Sequence, residues 1–200
     1  MAERLKELFD RWRLEQINDT NYRNNTKKHK GKYISKDSFC VDGFVGENCE
    51  YGVSILFVMK ESNLMGYKAE ENKFWFKDVH KKYRHKIPRR LRKCTEVIGC
   101  DYNKCAYMNI NKRGGFGNSD NKVIENYFKD YKGYIFEEIE IIKPQKILIA
   151  SKELKDIIYE DIKRRFPDID IYFTEYHPSI VKKNGTYITD DEYKNRMYIL

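Results

Sequence analysis

The apolar run Ile55-Leu56-Phe57-Val58-Met59 breaks off at Lys60-Glu61-Ser62-Asn63, and this pattern constrains the fold more than any other in the chain. A run without polar alternation is buried on both faces, as in a strand of a parallel sheet. The loop at the carboxyl end of such a strand is where open α/β sheets bind ligands. Three later segments share the form: Ala106 to Arg113, Lys146 to Ser151, and Ile169 to Thr174, which runs on to His177-Pro178-Ser179. Helical spacing fills the intervals between them. The expected fold is a three-layer α/β/α sandwich around a central four-stranded parallel sheet, with strands near 53–59, 105–109, 146–150 and 169–173.

Around that core, Leu5, Leu8, Phe9, Trp12 and Ile17 predict an amphipathic N-terminal helix. Residues 18–36 carry no apolar periodicity and read as a surface loop, where Lys27, Lys28, His29, Lys30 and Lys32 add to a phosphate-facing surface. Asp42-Gly43-Phe44-Val45-Gly46 reads as a turn. A helix over 89–98 turns Leu91, Val97 and Ile98 inward and is closed by Gly99. Residues 123–142 predict two helices bent near Gly133, and a further helix over 152–166 stops before Pro167. The expected organisation is one domain: an N-terminal extension over 1–50, an α/β core over 51–183 and a tail over 184–200.

The formal charge of +8 favours a polyanionic partner. Its location sharpens the point. From Lys77 to Lys93 nine Lys or Arg, among them Arg89 and Arg90, face one acid, Asp78, so this block holds the whole excess. Such a block is either a solvated helix face or a track for a phosphate backbone, and its place beside a strand end suits the second. Five cysteines, none at CxxC spacing, and no N-terminal apolar segment predict a reduced, cytoplasmic protein. Their thiols are buried by default, with Cys94, Cys100 and Cys105 as the alternative start of a cluster site that lacks an obvious fourth ligand. No run approaches the roughly 18 apolar residues of a membrane span, so a soluble monomer is expected.

Two more stretches bear on a site. Phe74-Trp75-Phe76 cannot all face one core from a helix or a strand, so they form either a base-stacking platform or a loop folded over the core. Lys112-Arg113-Gly114-Gly115-Phe116-Gly117-Asn118 brings backbone N–H groups within reach of an anion, but lacks the order of a nucleoside-triphosphate loop.

Ile98-Gly99 leading to Asn109-Ile110-Asn111-Lys112, Lys143-Pro144 before an apolar strand, and Tyr176-His177-Pro178-Ser179 together resemble the uracil-DNA glycosylase superfamily. Their order and spacing agree over about residues 53–183. The chain departs from that family at its first motif, where Lys60-Glu61-Ser62-Asn63 has neither the usual glycines nor the proline, and in having no recognisable set of four iron-sulfur cysteines.

The resemblance implies a uracil-DNA glycosylase-like fold and excision of uracil or another altered base from single- or double-stranded DNA, without metal or cofactor. Cleaving an N-glycosidic bond needs a donor at the base oxygen, a carboxylate at the sugar or its water, and an aromatic floor for the flipped base. His177, at the end of the last strand, is the candidate donor, and Glu61, the only acid in the first strand-end loop, is the candidate carboxylate. Asn109 and Asn63 read the base, and Phe74 or Phe76 stacks on it. Lys60, Lys112, Arg113, Ser179, Arg89 and Arg90 hold phosphates. The alternative is a non-catalytic member of the same fold that binds nucleic acid or a nucleotide. Glu61, Asn109 and His177 are expected to line one pocket.

Overall fold

The structure, a computed structural model, describes residues 1–29, 31–46, 52–64 and 85–200. Phe74, Phe76, Cys49 and the 77–84 part of the basic block lie outside the described residues. The chain divides into two compact units. One takes its described residues from 1–42, 60–64 and 109–143, the other from 43–59, 85–108 and 144–200.

The second unit is mixed α/β, built on a mostly parallel sheet. Its strands are β3 (Gly43–Phe44), β4 (Val53–Asn63), β5 (Cys105–Gly115), β6 (Pro144–Ile149), β7 (Asp170–Thr174) and β10 (Met197–Ile199). The order across the sheet is β10-β7-β6-β4-β5-β3. β4 pairs parallel with β6 through Phe57 opposite Leu148, and β6 parallel with β7 through Ile147 opposite Ile171. All four expected strands are present, but the sheet has six. β3 adds antiparallel to β5, in place of the expected turn at Asp42 to Gly46, and β10 adds antiparallel to β7. Residues 184–200 therefore supply an edge strand.

Helices of this unit follow local rules. α2 (Lys86–Ile98) ends at Gly99, whose φ of 76° is the left-handed conformation that a side chain disfavours. It buries Arg90, Leu91, Cys94 and Thr95, whereas Val97, expected inward, is exposed. Pro88 sits in its first turn, where the missing N–H breaks no helical bond. α4 (Lys152–Arg165) is capped by Ser151, whose hydroxyl accepts from Leu154 N–H, and turns Leu154, Ile158 and Ile162 inward. A short hairpin, β8 (Lys182–Lys183) with β9 (Thr186–Tyr187), and the helix α5 (Asp190–Lys194) follow β7.

The first unit holds α1 (Ala2–Asn18), the hairpin β1 (Lys28–His29) with β2 (Lys32–Tyr33), the ends of β4 and β5, and α3 (Asn121–Ile142). α1 packs on α3, with Trp12 stacked on Tyr134 at 5.4 Å between ring centroids. Its inward face is Leu5, Leu8, Phe9, Trp12 and Gln16, while Ile17 is largely exposed. Gln16 is buried because its amide meets real partners: Nε2 donates to Ser38 O at 2.7 Å and Oε1 accepts from Tyr127 OH at 2.7 Å. α3 runs unbroken through Gly133, as one helix rather than two. The 18–36 stretch is not all surface: Asn25 and Thr26 are buried. Among the described residues no helix is long and apolar enough to cross a membrane.

Candidate active site

All eleven residues of β5 are buried, yet the strand carries Asn109, Asn111, Lys112 and Arg113. Burial of that much polarity demands internal partners. Lys112 Nζ lies between two buried carboxylates, donating to Asp42 and, at 2.7 Å, to Glu138. The rings of Trp12 and Phe9 stand 4.9 and 5.4 Å from the same ammonium. Asp42 also accepts from the Asn109 backbone N–H at 2.8 Å and from Asn109 Nδ2 at 3.1 Å. Asn109 Nδ2 reaches Ser62 Oγ as well, at 2.9 Å.

One cation cannot neutralise two buried anions. Burial pushes the Glu138 carboxyl up to about 8 against the pull of Lys112, and burial likewise raises Asp42. Burial thus favours a proton on the Asp42–Glu138 pair, while Lys112 favours its charged form. Burial by itself lowers the Lys112 pKa, but Asp42 and Glu138 more than offset it and hold the amine charged.

Arg113 is equally enclosed. Its guanidinium donates to Asn25 Oδ1, to Asp19 Oδ2 at 2.9 Å, to Gln16 O at 3.1 Å and to Tyr131 OH at 3.3 Å. Lys112 and Arg113, expected at phosphates, thus hold groups of the protein itself, and Arg113 fastens the 16–25 segment onto β5.

The end of β4 differs. Lys60 and Glu61 are half-buried, Ser62 is buried and Asn63 is exposed. Glu61 Oε2 accepts from Asn111 Nδ2 at 3.1 Å, whereas Oε1, buried, has no hydrogen-bond partner among the described residues. A Cβ built at Gly115 would fall 2.1 Å from that oxygen, so the carboxylate uses the room that a glycine leaves. Gly114, at φ 79°, turns the chain beneath it.

Burial pushes the Glu61 carboxyl up, with Lys27, Ser119, Asn111 and Lys60 pulling the other way. Lys27 Nζ donates to Phe116 O at 2.5 Å and to Asn118 O, bracing the glycine loop, and Lys60 Nζ donates to Asn121 Oδ1 at 3.1 Å. The arrangement is a carboxylate with one buried, unpaired oxygen and with Lys27 and Lys60 nearby, a setting that perturbs its proton affinity.

His177 belongs to the second unit. Its Nδ1 accepts from the Ser179 backbone N–H at 3.2 Å and contacts Ser179 Oγ at 2.7 Å. A backbone N–H can only donate, so Nδ1 is the accepting nitrogen in that bond. Ser179 thus orients the imidazole. Arg89 is about half exposed and pairs with Asp190, whereas Arg90 is buried and donates to Asp190 and to three backbone carbonyls. No protein-family model matches this chain, and no curated protein matches its sequence.

Sequence reasoning passed over Asp42, Glu138 and Asn111 as site residues, and Lys27, expected on a phosphate-facing surface, instead holds loop carbonyls. Glu138 had a legible signal, because it falls on the stripe of Tyr131, Ile135, Ile139 and Ile142 that α3 turns inward. Four polar residues inside one strand were a second signal, calling for buried acids. The role of Lys27 had no such signal, since its partners are loop carbonyls 89 and 91 residues away in sequence. Among the described residues no three His, Cys, Asp or Glu side chains gather as a metal site, and Cys40, Cys94, Cys100 and Cys105 are free thiols.

Proposed function

We propose that the chain hydrolyses an N-glycosidic bond in DNA, excising uracil or another altered base. The observation that carries the reading is Glu61, whose buried Oε1 lacks a partner and whose carboxyl is pushed up by burial. A carboxylate held this way accepts the proton of a water as its oxygen bonds to the sugar carbon and the electron pair of the broken bond leaves with the base. His177 is the donor for the base oxygen on which negative charge grows, its ring oriented by Ser179. The formal charge of +8 suits a polyanionic substrate.

One observation favours a non-catalytic nucleic-acid or nucleotide binder of the same fold. The first motif, Lys60-Glu61-Ser62-Asn63, has neither the glycines nor the proline usual in the family that the chain resembles. Base release decides between the two. The substrates are single- and double-stranded DNA carrying uracil, hypoxanthine, xanthine or a modified cytosine. The expected result is turnover of at least one, reduced about 10²–10⁴-fold by Glu61→Gln or His177→Ala with DNA affinity retained. Turnover that survives Glu61→Gln, or no turnover of any of them, overturns the reading.

A further inference from the structure

Arg90 is a buried cation of α2, with 1% of its surface exposed. Four hydrogen bonds surround its guanidinium. Nη1 donates to Pro178 O at 3.0 Å and to Ile180 O at 2.7 Å, Nη2 to Ile188 O at 2.5 Å, and Nε to Asp190 Oδ1 at 3.0 Å. Burying a guanidinium is costly unless its donors are met, and a helix packing on its neighbours gains as much from an apolar side chain. What an apolar side chain cannot do is hold three carbonyls on two stretches of chain, one just after His177 and one beyond the β8–β9 hairpin.

The turn that carries His177 is held from several sides. Ile180 N–H donates to His177 O at 3.0 Å and closes the turn over Pro178. On the strand side, Thr174 Oγ1 donates to Tyr176 O at 2.9 Å and accepts from the buried Tyr193 OH at 3.1 Å. The Tyr193 ring in turn lies 5.0 Å from the Arg90 guanidinium. The arginine thus contacts the turn directly through Pro178 O and Ile180 O, and through Tyr193 it supports the bonds at the base of the turn.

We infer that Arg90 is a positioning residue for the His177 imidazole: its fork of N–H groups fixes the 177–180 turn, and the turn fixes the ring through Ser179. The functional half of this inference rests on the role of His177 in the proposed hydrolysis. The structural half does not. Lysine keeps the charge but gathers its donors on one nitrogen, so it cannot span Pro178, Ile180 and Ile188 at once. Charge alone is therefore insufficient at this position.

The test is Arg90→Lys, read by amide hydrogen exchange and by single-substrate kinetics. The expected result is exchange at Ser179 and Ile180 N–H faster by tenfold or more, with the β6 amides of Leu148 and Ile149 unchanged. The His177 ring nitrogen shifts should move with them, and kcat should fall about 10–100-fold at constant KM. Exchange raised by one common factor throughout, or kcat restored in full by lysine, overturns the inference and leaves Arg90 a packing residue.

Should the variant not fold, the parent protein decides. The Arg90 Nε–H and the Ser179 and Ile180 amides are expected to open together at one denaturant dependence, and independent opening refutes the coupling. If no substrate is turned over, exchange and ring shifts still report on positioning, so failure of the hydrolysis reading is distinguishable from failure of this one.

Discussion

At the end of β5, Asn109, Asn111, Lys112 and Arg113 are fully enclosed and bonded to Asp42, Glu61, Glu138, Asp19 and Asn25. At the end of β4, Lys60 and Glu61 stay half-buried, Asn63 is exposed, and one Glu61 oxygen lacks a partner. In sequence the two ends look alike, an apolar run stopped by Asn, Lys and other polar residues. They differ in what the rest of the first unit brings to them. β5 receives two acids and a clamped segment, whereas the β4 end receives neutral amides, Asn111 on Glu61, Asn109 on Ser62 and Asn121 on Lys60, with Lys27 on its flank. A polar strand end becomes a candidate site only where the protein supplies fewer partners than the strand has polar groups.

The largest test of this contrast is Lys112→Met. Removing the cation leaves Asp42 and Glu138 buried together, and the expected loss is about 3–5 kcal/mol in a urea unfolding experiment. A loss under about 1 kcal/mol would mean that the closed end is not held by charge.

Next is the pH dependence of stability. Glu138 titrates at about 8 in the folded chain against 4.5 for the ordinary side chain, so folding favours its protonated form. Its contribution is fully present below the unfolded value and is lost as pH rises through about 8. Stability is therefore expected to fall between pH 5 and 8.5, by something on the order of 1–3 kcal/mol, and Glu138→Gln should flatten the fall. Lys112, whose pKa is raised from 10.5, adds no slope in this window.

A smaller effect is expected where the two ends meet. Gly115→Ala places a methyl group against Glu61 Oε1 and should cost about 1–2 kcal/mol. The carboxylate is the movable partner, so the cost should shrink in a Glu61→Ala background. An equal cost in both backgrounds would show that the glycine serves its own backbone instead.

The smallest concerns Glu61 alone. Burial raises its pKa, so the ionised form opposes folding, and Glu61→Gln should stabilise the chain at pH 7 by less than about 1 kcal/mol. That gain should vanish at pH 4, where the carboxyl is protonated in either state. Destabilisation at pH 7 would place Glu61 with the closed end.

Much of the fold was legible. The apolar runs of β4, β6 and β7 have no polar alternation, and each lies in the interior of the sheet with a neighbour on both sides. The edge strands escaped because β3 has two residues and β10 three, too short to show a period, and each exists through its pairing with β5 or β7. Glu61, expected in a loop beyond Met59, lies within β4, which runs on to Asn63. That Arg90 serves a turn rather than a surface could not be read, because its carbonyl partners lie 88 to 98 residues away.

The sequence by itself determined where the interior strands and the long helices lie, because apolar periodicity, caps such as Ser151 and the left-handed Gly99 act within a few residues. It also set the chemical inventory at each strand end. Only the tertiary structure decided which of those groups are spent and which remain available. Whether a lysine meets a phosphate or a buried acid depends on partners from distant segments, and the cost of burying a charge makes that pairing compulsory once the site closes. Lys112 met Asp42 and Glu138 from 70 and 26 residues away and was enclosed, while Glu61, with Asn111 on one oxygen, kept the other unpaired.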